Sequence, residues 1–178
     1  RWYEKNCKVD CGKIDQLVSK TLVDVSKKDN YRGKKEGNIN YIMDAIKGYR
    51  LFMSSYPKFP EAKEVNLLLA EALFEAKMYA VAVSEYEKTA QMYPAGAERG
   101  EIAYTILIAD EIILLKGGEG RDVVVNSANQ IFDTYRGDLS ECGKLDSATL
   151  KLADMFAQTG SFDKAREILS PMLKGKDA

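Results

Sequence analysis

The chain has 178 residues, of which 46% are hydrophobic, a combination that is ordinary for a globular domain with its own core. Its 26 basic and 27 acidic residues nearly cancel, so the whole chain offers no excess of positive charge for nucleic acid or anionic lipid. The longest apolar stretch, Ile102 to Leu115, is interrupted by Asp110 and Glu111, whereas a membrane helix needs roughly 18 to 20 apolar residues. Composition therefore disfavours extensive disorder, nucleic-acid binding and a membrane span.

The cysteines disfavour a metal site. Cys7, Cys11 and Cys142 are too few for a disulfide-dense scaffold, and without any histidine they cannot complete an ordinary four-ligand zinc site. Cys7 and Cys11 either form a local disulfide, which would fit an oxidising compartment, or are two free thiols. Cys142 has no obvious mate and is expected to be a buried or semi-exposed thiol. The chain starts at Arg1 without a leader, which favours a processed protein or an excerpt of a longer array.

In chain order, residues 1–12 are expected to be an N-terminal extension. Lys13 to Ser26 is predicted to be an amphipathic helix. Its apolar spacing is that of Ile14, Leu17, Val18, Leu22 and Val25. The segment Lys27 to Gly37 (KKDNYRGKKEG) is predicted to be a polar loop, and Asn40 to Tyr56 a second helix that Pro57 ends.

Three later segments repeat one pattern. They are Asn66 to Ala76 (NLLLAEALFEA), Thr105 to Leu115 (TILIADEIILL) and Thr149 to Thr159 (TLKLADMFAQT), and each has an aliphatic residue, then alanine, then an acid. Self-similarity at a fixed period near 34 residues is typical of helical repeats, and these three segments recur at spacings of 39 and 44 residues.

The residues that follow each alanine fit a hairpin of two helices. After Ala70 come Leu73, Tyr79, Ala82, Tyr86 and Pro94, and after Ala153 come Phe156, Gly160, Phe162, Ala165, Leu169 and Met172. Small residues allow close approach of antiparallel helices, Gly160 opens a turn, and Pro94 stops a helix. The aromatic residues at helical spacing are predicted to be core, namely Tyr49, Tyr86 and Phe162.

Four hairpins, hence eight helices, are predicted at residues 13–59, 60–96, 97–139 and 144–173, within one domain over 13–178. The third hairpin is longer at Gly117 to Gly120 (GGEG), which is a widened turn, not a phosphate loop, because no Lys-Ser or Lys-Thr pair follows. The tripeptide Arg136 to Asp138 matches an adhesion motif, but three residues recur by chance.

These repeats resemble the tetratricopeptide repeat family over roughly residues 13 to 173. The resemblance implies an all-α, right-handed superhelix of about four helical hairpins that binds protein segments in its concave groove. The linkers Tyr56-Pro57 and Tyr93-Pro94 are similar to those of repeats in bacterial envelope proteins of the outer-membrane assembly and Tol-Pal types. That likeness implies a periplasmic or envelope-associated protein, with a cytoplasmic scaffold as the alternative.

The family pattern also implies which residues line the groove. It places there Leu67, Glu71, Phe74, Ile106, Asp110, Ile113, Leu150, Asp154 and Ala157. Glu71, Asp110 and Asp154 would form an acidic stripe on an apolar floor that suits a basic or amphipathic partner segment. The alternative is that these acids are merely solvated.

We expect a non-catalytic protein-binding module without cofactor or metal, because the absence of histidine removes the commonest general base. A self-associating spacer of a longer array is the alternative. The last helix, Phe162 to Leu173, has an apolar edge that a short polar tail leaves uncovered, and that edge is the possible homo-oligomer contact. It contains Ile168, Leu169 and Met172.

Overall fold

A computed structural model of the chain describes residues 11–117 and 120–174. It is all-α, as the sequence predicted, and the described residues form nine helices. These are α1 (Cys11–Glu36), α2 (Ile39–Ser55), α3 (Ala62–Glu75), α4 (Tyr79–Met92), α5 (Ala97–Lys116), α6 (Arg121–Thr134), α7 (Arg136–Glu141), α8 (Leu145–Gln158) and α9 (Phe162–Lys174). Two compact units divide the chain, Arg1–Lys77 and Met78–Ala178, and each is described by itself.

The polar loop predicted for Lys27 to Gly37 is wrong, because α1 continues as a helix to Glu36. Arg32 stabilises this extension, since its guanidinium bonds Glu36 one turn later at 2.9 Å and lies 4.1 Å from the ring centre of Tyr41. The chain leaves the helix at Gly37, whose φ of +62° favours glycine. A lysine-rich composition therefore did not indicate a loop here.

Small residues bring α1 and α2 close together in antiparallel directions. A Cβ at Gly33 would lie 2.6 Å from Cγ1 of Ile42, and one at Gly48 would lie 2.0 Å from Oγ of Ser26. The two contacts run in opposite order along the two helices, which fixes the antiparallel pairing. A side chain at either glycine would clash unless Ile42 or Ser26 moved or the two helices separated.

The fully buried side chains of α1 are polar, although the half-buried Leu22 of the predicted stripe also reaches α2 at Gly48. Ser19, Ser26 and Asn30 are buried. The predicted amphipathic stripe exists, but four of its members are 48% to 68% exposed, namely Ile14, Leu17, Val18 and Val25. Close approach to α2 requires small side chains at the contact, and the apolar stripe is consequently turned outward.

Helix α2 confirms the helix predicted at Asn40 to Tyr56. Asn38 caps its start by accepting a hydrogen bond from the backbone N–H of Asn40 at 3.0 Å. Its buried face continues into an aromatic cluster, in which the ring centres of Phe52 and Tyr56 are 5.6 Å apart and those of Tyr56 and Phe59 are 4.9 Å apart. This cluster packs the connection between α2 and α3.

Helix α5 is the centre of the second unit and packs against α4, α6, α7 and α8. Because it has neighbours on several sides, its buried residues are not confined to one stripe. They are Gly100, Ile102, Ala103, Ile106, Leu107, Ala109, Asp110 and Leu114. Helix α9 packs on α8.

The short helix α7 was not predicted, and it adds to the eight expected helices. Its Asp138 is buried and accepts hydrogen bonds from the backbone N–H of Gly96 at 2.6 Å and from Arg99 at 2.8 Å. Gly100 lets α7 approach α5, because a Cβ there would lie 2.2 Å from the carbonyl oxygen of Asp138. Burial of Asp138 also makes the Arg136 to Asp138 tripeptide a structural element, not an exposed adhesion motif.

Two predicted turns are confirmed. Gly160, at φ +78°, separates α8 from α9, and Gly117 and Gly120 both have positive φ between α5 and α6. The core prediction holds for Tyr49 and Tyr86 but is wrong for Phe162, which is 63% exposed. Phe162 is the first residue of α9, ahead of the turn in which Ala165 is buried.

The predictions on cysteines have different outcomes. The Cys7–Cys11 pair lies outside the residues and side chains that the structure describes. Cys142 is free and half-buried, and its Sγ lies 3.4 Å from the carbonyl oxygen of Leu139, as expected for a semi-exposed thiol.

Candidate partner-binding surface

Three of the predicted groove residues lie together on α3. Leu67, Glu71 and Phe74 follow one another at helical spacing, and all three are partly exposed. The structure therefore places one carboxylate between two apolar side chains on the surface of the first unit. That these residues line a binding groove stays a prediction.

Burial makes the carboxyl group of Glu71 unusual. It raises the pKa of Glu71 above its ordinary value, the neighbouring Glu75 adds to the rise, and Lys34 opposes it. Lys34 itself bonds Glu75 at 2.9 Å. A further cation beside this partly buried carboxylate would therefore favour its charged form, as Lys34 does.

The second unit contributes residues of very different exposure. Ile106 and Asp110 are buried at 0% and 3% exposure, while Ile113 is half-buried. The periodicity placed Asp110 on the groove beside an alanine, but packing of α5 by four other helices covers it. A partner cannot contact Ile106 or Asp110 unless surrounding side chains move.

The buried carboxyl group of Asp110 has no hydrogen-bond partner for Oδ2 among the described residues. Burial raises the pKa of Asp110 to about 7, and the negative charge of Glu87 on α4 contributes to the rise. Ionisation of Asp110 near neutral pH therefore destabilises the folded second unit.

Leu150, Asp154 and Ala157 extend along α8. Leu150 is 54% exposed, and Asp154 is exposed and accepts a hydrogen bond from Gln158 at 2.6 Å. Ala157 is half-buried. The acids of the predicted stripe thus range from half-buried Glu71 through buried Asp110 to exposed Asp154, and their common binding role stays a prediction.

The predicted assembly edge on α9 is partly accessible. Ile168, Leu169 and Met172 are half-buried, and the neighbouring Leu173 is 63% exposed. Ile168 also lines a cleft of about 380 Å³ in the second unit. Its contribution to self-association stays a prediction.

Sequence reasoning missed an open cavity of about 620 Å³ in the first unit. Phe52, Phe59 and Val65 lie among its lining residues, and the ion pair of Lys27 and Glu64 at 3.0 Å also lines it. No local motif could identify this cavity, since it forms where α1 meets the start of α3.

Within residues 11–117 and 120–174, no group of three or more His, Cys, Asp or Glu side chains is placed to hold a metal ion. None of the described helices has the length and apolar character to span a membrane. The geometry thus defines an all-α protein whose helices pack sequentially within each unit. Neither a protein-family model nor a curated protein sequence matches the chain.

Proposed function

We propose that this chain is a non-catalytic module that binds a basic or amphipathic segment of a partner protein. The observation that carries the proposal is the α3 surface, where the partly buried Glu71 lies between Leu67 and Phe74. A cationic side chain of the partner would meet the carboxylate, and apolar side chains one turn away would cover the two flanking residues. Leu150 and Asp154 on α8 offer a similar pairing in the second unit.

The finer architecture is part of this proposal. Sequential packing of neighbouring helices supports a tetratricopeptide-type repeat, in which first helices such as α3, α5 and α8 would line a concave groove. The repeated alanines Ala70, Ala109 and Ala153 are all buried, as that arrangement requires. Their burial supports the predicted hairpin template.

A peptide titration tests the proposed function. The probe is a 14-residue amphipathic peptide with leucine at helical spacing and arginine on its other face, measured by fluorescence anisotropy. Glu71→Lys should weaken binding about tenfold or more, because it replaces an attraction by a repulsion at a partly desolvated site. Glu98→Lys, an exposed acid in the first turn of α5, is the matched control. Equal loss of affinity in both variants would contradict a role for the α3 surface.

Self-association is the second candidate function, and a specific observation favours it. The outward apolar face of α1, formed by Ile14, Leu17, Val18 and Val25, is a surface that a further copy could cover. Light scattering at two concentrations would compare the parent with Leu17→Ser plus Val25→Ser and with Leu169→Glu plus Met172→Glu. A dimeric parent and a monomeric variant would assign the contact to the altered helix. A monomeric parent would eliminate this candidate.

We further propose a bacterial cell-envelope setting, which the Tyr-Pro linkers support. Mass spectrometry of alkylated protein, isolated without reductant from its native source, would show whether Cys7 and Cys11 are bridged. A bridge agrees with an oxidising envelope compartment, and two alkylated thiols agree with the cytoplasmic alternative.

A further inference from the structure

The open cavity of about 620 Å³ in the first unit lies between α1 and the connection that leads into α3. Its volume is within the range of roughly 300 to 1,000 Å³ that is usual for small-ligand pockets. Leu67, Glu71 and Phe74 do not line it, so the cavity is separate from the α3 surface of the proposed function. What it could bind depends on its own lining.

Helices α1 and α3 run in the same direction along the cavity. Lys27 of α1 bonds Glu64 of α3 at 3.0 Å, and the later Lys34 bonds the later Glu75 at 2.9 Å. One wall of the cavity is the face of α1 that precedes Lys27, and the other is the connection at residues 59–61. The α1 residues of that wall recur at helical spacing and are Gln16, Ser19, Lys20, Val23 and Asp24.

The accessible apolar part of the lining comes from Val23, Phe59 and Pro60, which are half-buried or exposed. Phe52 and Val65 also line the cavity, but each is 1% exposed and adds little accessible area. The rings of Phe52 and Phe59 meet edge to face with their centres 6.5 Å apart. Such a surface suits the apolar side chain of a ligand, an aromatic ring above all.

Both walls are held in place by contacts within the first unit. The backbone N–H of Phe59 bonds the carbonyl oxygen of Tyr56 at 3.1 Å, and that of Ala62 bonds the carbonyl oxygen of Phe59 at 2.9 Å. The α1 wall is fixed on α2 by the close contact of Ser26 with Gly48. A ligand therefore meets ordered walls, so that binding costs little conformational entropy of the protein.

The charged side chains of the lining have both signs. Lys27 and Glu64 pair with each other, whereas Lys20, Asp24 and Glu61 are exposed and have no ion pair among the described residues. Asp24 stands three residues before Lys27, and Glu61 stands three residues before Glu64. Because α1 and α3 run in the same direction, these two carboxylates lie on the same side of the ion pair. Lys20 lies one further turn back along α1.

A ligand that complements these charges has a cationic end for Asp24 and Glu61 and an anionic end for Lys20. Gln16, one turn before Lys20, adds an amide N–H donor for the anionic end. Lys20 and Asp24 are one turn apart, which separates their Cβ atoms by about 5 to 6 Å. The ends of an extended dipeptide are up to about 7 Å apart, whereas a single amino acid carries both charged groups on one carbon.

We propose that this cavity binds a small apolar zwitterion of dipeptide size, namely a short peptide with free termini and apolar side chains. Its ammonium group contacts Asp24 and Glu61, and its carboxylate contacts Lys20 and Gln16. Its side chains cover the apolar lining, and the internal ion pair of the cavity stays intact. This site is independent of the partner surface on α3.

Titration of the isotope-labelled chain with leucyl-phenylalanine, followed by nuclear magnetic resonance, tests the proposal because amide shifts report both the site and the dissociation constant. Related probes each lack one feature. The N-acetyl form lacks the ammonium group, the C-terminal amide lacks the carboxylate, glycyl-glycine lacks the apolar side chains, and free phenylalanine lacks the length. Each probe is titrated into the parent, Lys20→Gln and Glu61→Gln. Asp44→Asn and Lys47→Gln, which alter an exposed ion pair of α2 away from the cavity, are the matched controls.

Leucyl-phenylalanine should shift the amides of residues 16–27 and 59–65. Loss of either terminal charge should weaken binding about threefold or more, as expected for an exposed ion pair, and loss of both side chains about tenfold or more. Lys20→Gln should weaken the free dipeptide about threefold or more and spare the C-terminal amide, and Glu61→Gln should weaken the free dipeptide and spare the N-acetyl form. Glu61 makes no side-chain hydrogen bond at the start of α3, so its substitution removes no cap.

Several results would overturn the proposal. Absence of binding by leucyl-phenylalanine, or shifts confined to residues outside the cavity, would refute the site. Equal affinity for the acetylated or amidated dipeptide would refute recognition of the termini, and equal affinity for phenylalanine would refute the size class. A variant that weakens all probes alike would show a structural effect instead of a contact. The α3 surface is tested separately by the amphipathic peptide, so its failure and that of this site are distinguishable.

Discussion

Replacement of Asp110 by asparagine should stabilise the protein above neutral pH and have little effect in acid. The pKa of Asp110 rises from 3.8 to about 7 on folding, because burial and Glu87 disfavour its charge. A raised pKa in the folded state stabilises the fold at low pH, and this stability is lost as the pH rises from about 4 to about 7. The shift corresponds to about 4 kcal/mol of unfolding free energy, since each pKa unit is worth about 1.4 kcal/mol.

Urea unfolding, followed by circular dichroism between pH 4.5 and 8.5, measures this effect. Asparagine keeps the shape of aspartate but its amide also needs a partner, so the gain at pH 8.5 should be about 2 kcal/mol, within an upper limit of about 4 kcal/mol. With a denaturant slope of about 2 kcal/mol per molar, the midpoint would rise by about 1 M urea. Glu101→Gln, an exposed acid on the same helix, is the control. A gain that is equal at both ends of the pH range would refute this reasoning.

The contact between α5 and α7 yields two further predictions. Gly100→Ala should lower the unfolding free energy by about 1 to 3 kcal/mol, because the new Cβ meets backbone atoms that cannot yield, whereas Gly137→Ala in open space should raise it slightly. Thermal unfolding of the two variants compares them, and similar melting temperatures would contradict the close approach. Asp138→Ala should cost about 3 kcal/mol in chemical denaturation, because Arg99 and a backbone N–H lose their acceptor. Asp133→Ala, an exposed acid on α6, is its control, and an equal loss there would argue against the buried pair.

Local signals predicted several helix boundaries. Gly160 marks a turn and Pro57 and Pro94 follow helix ends because glycine and proline act through their own backbone geometry. The extension of α1 was missed because only part of its support is local, in the Arg32–Glu36 pair, and the close contact of Gly33 with Ile42 is tertiary. Glycine within a lysine-rich segment does not reveal by itself that another helix packs on it.

The sequence could group residues of the candidate site only where they lie on the same helix. Leu67, Glu71 and Phe74 share a face of α3, and periodicity suffices to group them. Asp110 follows an alanine in the sequence pattern just as Glu71 does, but Asp110 is buried, on a helix that packs against four others. The sequence also could not predict that the buried Tyr49 hydroxyl has no hydrogen-bond partner among the described residues, since a tyrosine at a core position gives no sign of whether its oxygen is paired.

Helix α1 exposes several of its apolar residues and buries small polar ones, so its tolerance of substitutions should differ between these two sets. Leu17 and Val25 contribute little to folding because they are exposed, so serine there should leave the fold intact, while a larger side chain at the buried Ser26 should disrupt it. In this helix the exposed hydrophobic positions should vary freely, whereas the small residues that contact α2 should not. If substitution of Leu17 or Val25 impairs the protein without unfolding it, these residues contact another molecule.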